Sequence, residues 1–91
     1  MPSADLVVSG SVSPNWNGDF YDDGLYNGQP SFKKQGENVF VWWSEDNNTY
    51  YISAQKGTLG FSWWIADQAN YDGTYTPAGN AVGDITATIP S

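Results

Sequence analysis

The sequence predicts an all-β chain: a small antiparallel sandwich or partly closed barrel of about six short strands around a three-stranded central meander. Two observations carry that expectation. No stretch places apolar residues at the i, i+3, i+4, i+7 spacing of an amphipathic helix, and glycine, proline and Asn-Gly breaks recur along the chain. The middle of the chain instead holds three β-branched and aromatic runs separated by turn-forming residues. Ninety-one residues are expected to form one domain, 1–91, because there is no room for two cores.

Taken in order, Asp5-Leu6-Val7-Val8-Ser9 reads as an opening strand, and Gln29-Pro30-Ser31-Phe32-Lys33-Lys34 as a short strand with Pro30 at its edge or first position. The meander follows. Asn38 to Ser44 forms its first strand, Glu45-Asp46-Asn47-Asn48 a turn, and Thr49 to Ala54 its second strand. Gln55-Lys56-Gly57-Thr58 then turns into Leu59 to Ile65, and Asp84 to Ile89 closes the chain. With four-residue loops at both turns, Trp43 faces Tyr50 and Trp63, Val41 faces Ile52 and Phe61, and Val39 faces Ala54 and Leu59. These side chains make one apolar core face. The opposite face carries Phe40, Trp42, Tyr51 and Trp64 among Ser44, Thr49, Ser53, Gly60 and Ser62.

A motif occurs twice. Asn17-Gly18-Asp19-Phe20 through Gly24 to Gly28 matches Asp72-Gly73-Thr74-Tyr75 through Gly79 to Gly83, in the form [Asn/Asp]-Gly-x-[Phe/Tyr]-x-x-x-Gly-x-x-x-Gly. Gly18, Gly24, Gly28, Gly73, Gly79 and Gly83 are expected where the backbone needs positive φ or close approach. Phe20 and Tyr75 are expected to anchor the two segments, read as loops, in the core. The spacing fits neither a dinucleotide fingerprint nor a P-loop.

The order of Ser9-Gly10, Asn17-Gly18-x-Phe20, Gly24-Leu25-Tyr26-Asn27-Gly28-Gln29-Pro30-Ser31-Phe32, Trp42-Trp43, Tyr51-Ile52-Ser53, Gly57, Trp63 and Gly73-Thr74-Tyr75-Thr76-Pro77-Ala78-Gly79 spans nearly the whole chain. It resembles a small Gly/Tyr/Trp-rich β module of bacteriophage structural proteins, of the tail-fibre and head-decoration type, also found in some large bacterial surface proteins. The resemblance implies a non-catalytic virion component that assembles with other virion proteins or with copies of itself. A copy of this length with its own Met suggests a virion component rather than a fragment of a long fibre. The opening Met1-Pro2-Ser3-Ala4-Asp5 lacks the basic and apolar regions of a secretory signal. The expected location is therefore the virus particle, assembled in the host cytoplasm and freed by lysis.

Composition narrows the chemistry. There is no Cys and no His, which excludes disulfides, thiolate zinc sites and Ser–His–Asp or Cys–His catalysis. Ten acidic residues against Lys33, Lys34 and Lys56 give a net charge of −7, which repels nucleic acid. No apolar run is long enough to span a membrane. The acidity keeps an aromatic surface soluble; an acidic inhibitor that imitates nucleic acid is the sharper alternative.

The face of Phe40, Trp42, Tyr51 and Trp64 is the candidate binding surface. Trp and Tyr concentrate at protein-interface hot spots. Alternatively, two rings could stack a sugar, which would make the chain a carbohydrate-binding module for a host-surface glycan. The structural alternative is that the Asp5–Lys34 segment folds over this face as a second core layer. Asp19, Asp22 and Asp23 share a Gly-bounded loop and could hold calcium, although the spacing is not that of an EF-hand and Asp-Gly clusters are ordinary turn chemistry. The only glutamates, Glu37 and Glu45, bracket a strand about 24–27 Å long and do not converge as a glycosidase pair would. The Asn47-Asn48-Thr49 sequon reads as turn composition. No enzyme activity and no cofactor are expected.

Overall fold

In the computed structural model, which describes residues 4–66 and 70–90, eight strands close into a barrel. The opening residues Met1 to Ser3, read above for a leader, lie outside this range. The strands are β1 (Leu6–Ser9), β2 (Gly18–Tyr26), β3 (Gln29–Lys34), β4 (Phe40–Ser44), β5 (Thr49–Ser53), β6 (Ser62–Ile65), β7 (Gly73–Gly79) and β8 (Ile85–Thr88). Each pairs antiparallel with its neighbours in chain order, and β8 returns to β1 through Val7↔Thr88, Val8↔Ala87 and Ser9↔Thr86. The all-β, antiparallel expectation holds. Of the two expected forms the sandwich does not hold and the barrel does in kind, but with eight strands rather than about six and closed rather than partly closed, because β2 and β7 are strands as well and the first and last strands pair.

Both additional strands lie in the repeated motif. They read as loops in sequence because each sends one large side chain inward, Phe20 in β2 and Tyr75 in β7, and neither is exposed. One inward ring per strand leaves no alternation to detect. All six glycines of the repeat have positive φ, from 62° to 143°. Gly79 shows the need most clearly: at φ 62° a Cβ there would run into the Phe61 carbonyl oxygen.

An eight-stranded barrel is about wide enough for side chains to fill. All eight strands contribute, with Leu6, Val8, Phe20, Phe32, Val41, Tyr50, Ile52, Trp64, Tyr75, Ile85 and Ala87 buried inside. The ends are plugged by aromatic rings. At one end Trp16, from the β1–β2 connection, packs edge-on against Trp64 at 5.3 Å, and the Trp64 indole N–H donates to the Gly83 carbonyl at 2.7 Å. Ser13 and Val82 exchange backbone hydrogen bonds beside it. At the other end Tyr71 packs on Phe32 and Tyr50, at 4.8 and 5.7 Å. The Tyr75 hydroxyl donates to the Tyr71 carbonyl and the Tyr50 hydroxyl to that of Pro30.

These phenols make the fold sensitive to alkali. Burial, and secondarily the Tyr71 phenol, pushes Tyr50 up to about 12, and burial with Tyr50 and Asp72 pushes Tyr75 well above its ordinary 10.0. Below pH 10 both folded and unfolded chains keep these protons, so the two groups add no pH dependence. Above it the unfolded chain releases protons that the folded chain retains, and stability falls until Tyr50 ionises near pH 12. Urea midpoints should therefore drop between about pH 10 and about pH 12. An unchanged midpoint, with every phenol titrating in the native state, would contradict this packing.

Candidate functional site

The expected register holds at the first turn and fails at the second. Strands β4 and β5 pair Val41↔Ile52, Trp42↔Tyr51 and Trp43↔Tyr50, as the four-residue turn Glu45–Asn48 dictates. Strands β5 and β6 pair Ile52↔Trp64 and Tyr51↔Ile65 instead of Ile52 with Phe61. Gln55 and Thr58 close a small turn of their own, and Leu59-Gly60-Phe61 extends the connection before β6 begins at Ser62. Gly57 and Gly60, at φ 81° and 72°, bend this segment out of strand geometry. The three-residue shift is odd, so it exchanges the faces of β6.

Trp64 therefore belongs to the barrel interior, and the four-ring face reduces to Phe40, Trp42 and Tyr51 on the outer surface. Phe61, expected in the core, is instead 85% exposed. Trp63 lies on the outside, half-buried.

The outer rings are covered. Trp42 is 4% exposed and Tyr51 6%. Their cover comes partly from the Asp5–Lys34 segment and partly from the β5–β6 connection. The β2–β3 hairpin is irregular between Asp22 and Leu25, where the Gly24 N–H donates to the Asp22 carboxylate at 2.7 Å and the Ser31 hydroxyl to the Gly24 carbonyl at 2.8 Å. Such a bulge bends a hairpin. The bend carries Tyr26 to an edge-on contact with Trp42 at 5.8 Å, and the Asn27 side-chain amide donates to the Trp43 carbonyl at 3.0 Å. From the other side Gly57 meets Tyr26 so closely that a Cβ would lie 2.5 Å from its hydroxyl. The Lys56 ammonium binds the Asp23 carboxylate at 2.7 Å and sits 5.8 and 5.5 Å from the Tyr26 and Phe40 ring centres.

Two grooves flank this layer. One, of about 340 Å³, is lined by Tyr26, Asn27, Trp42, Ser44, Glu45, Asp46, Asn47, Tyr51, Gly57 and Leu59. The other, of about 290 Å³, is apolar and lies between Pro14, Trp16, Ala54, Leu59, Gly60, Phe61 and Ser62. Sequence reasoning missed Tyr26, Leu59 and Phe61 as site residues. Gly57 and Gly60 within four positions were the available signal that the meander breaks there.

The calcium candidates do not gather. Asp22 caps its own turn and Asp23 holds Lys56, and among the described residues no three acidic side chains converge on a metal position. Comparison with protein-family models, curated proteins and solved structures returns no match.

Proposed function

We propose that the chain is a non-catalytic assembly module of a phage virion, a capsid decoration or a tail component, acting by protein–protein contact. Phe61 carries the reading: a large ring, 85% exposed, beside an apolar groove whose lining among the described residues holds no charged side chain. Exposed aromatic side chains in such settings mark protein interfaces. Pairing of β1 with β8 supports it further, since among the described residues the sheet closes on itself and contact through side chains is favoured over β-augmentation. The interior is filled, so binding falls to the outer surface. The phage assignment itself draws on the sequence resemblance.

The carbohydrate alternative has less support, because Trp42 and Tyr51 keep almost no ring face on which a sugar could stack. Nor does Trp64→Ser test an interface, since it would empty the core. The informative variant is Phe61→Ser. Sedimentation velocity should show self-association, or co-sedimentation with phage shells, that weakens at least about tenfold in the variant. A wild-type monomer at every concentration, with no shell binding, would remove this reading. Capsid and portal genes beside the coding sequence would support its phage part.

A further inference from the structure

Tyr51 is nearly buried at 6% exposure, yet its hydroxyl has no hydrogen-bond partner among the described residues. The hydroxyl is not sealed off, and Tyr51 lines the 340 Å³ groove, where it meets solvent or a ligand. Glu45 and Asp46, from the β4–β5 turn, and Asn47 stand along the same groove. Among the described residues its charged side chains, Glu45 and Asp46, are both acidic, in a chain of net charge −7.

We infer that this groove receives a lysine or arginine side chain of a partner protein; the inference rests on the assembly reading and names the partner's chemistry. An ammonium or guanidinium supplies donors to the Tyr51 oxygen and the carboxylates, and charge-assisted hydrogen bonds are the strong ones. The chain already uses this chemistry nearby. Its own Lys56 sits between the Asp23 carboxylate and the rings of Tyr26 and Phe40. The chain itself has little to offer, because it has three Lys and no Arg, and Lys34 and Lys56 are held by Glu37 and Asp23 at 2.6 and 2.7 Å. Lys33 alone is left, and a basic partner complements the net charge better than a second copy does.

The test is an NMR titration of the full chain with a short oligolysine peptide and with a glutamine peptide of equal length. Lysine should give saturable shifts at the Trp42 indole N–H and the Tyr51 and Asn47 amides, and glutamine none. Glu45→Gln with Asp46→Asn should weaken binding about tenfold, at about 0.5–1 kcal/mol per exposed charge. Asp19→Asn with Asp84→Asn removes the same charge from the far end of the barrel and should change binding less than about twofold. Equal losses in the two pairs, or shifts scattered over the surface, overturn the inference. Phe61→Ser separates the two readings. If the peptide does not bind while the wild type still assembles through Phe61, the groove inference fails alone; if it binds while the wild type never assembles, the assembly reading fails and the cation site stands.

Discussion

Truncating Trp64 to alanine is expected to cost about 3–5 kcal/mol, a large part of the about 5–15 kcal/mol that holds a small domain together. The indole is unexposed, pairs with Ile52 across the sheet, touches the Trp16 plug and donates to Gly83. Its loss therefore empties the core and loosens one end of the barrel together. Trp63, its sequence neighbour, points outward, and among the described residues its indole N–H has no hydrogen-bond partner to lose. Trp63→Ala should cost only about 1 kcal/mol. Urea denaturation followed by far-ultraviolet dichroism measures both, and equal losses would mean that the β5–β6 register is not as described.

That contrast reverses what alternation alone gives for the third meander strand. The first two strands were legible because Val39, Val41 and Trp43 alternate with Phe40, Trp42 and Ser44 through a turn whose length their composition sets. Beyond Ser53, pairing depends on how many residues the connection absorbs. Leu59 and Phe61 look like strand residues whether or not they pair. Only their packing separates the cases: Gly79 lies against the Phe61 carbonyl, and the Asn80 N–H donates to that oxygen at 2.8 Å. Those contacts join positions far apart in sequence, where a local pattern carries no information.

Barrel closure was hidden for the same reason. Val7, Ala87 and Thr88 fit an edge strand as well as they fit a seam, and nothing near them in sequence distinguishes the two. The candidate site was legible in part: Phe40, Trp42 and Tyr51 share the outer face that their alternation assigned them. What covers them was not. Tyr26 reaches Trp42 because of an irregularity at Asp22–Leu25, and Lys56 reaches the Tyr26 and Phe40 rings because a turn closes early.

Replacing Ser53 with alanine is expected to cost about 2–3 kcal/mol, and the loss should fall on the outer layer rather than on the barrel. Ser53 is unexposed, and its oxygen accepts the Trp42 indole N–H at 2.8 Å. The same hydroxyl lies 2.7 Å from the Gln55 carbonyl and 2.9 Å from that of Thr58, and its single proton serves these two. Alanine leaves a buried indole N–H without an acceptor and releases the turn that brings Lys56 over the Tyr26 and Phe40 rings. Leu6, Ile52, Tyr75 and Ile85 pack on the other side of the sheet and keep their neighbours. Hydrogen exchange should therefore accelerate first at the Trp42 indole, while amides of β1 and β8 exchange only through global unfolding. Acrylamide should quench Trp42 in the variant and spare Trp64. If exchange rises uniformly over all strands, the outer layer is part of one cooperative core. If it rises locally, Ser53 holds a separable cover, and the shape of the acidic groove depends on that one hydroxyl.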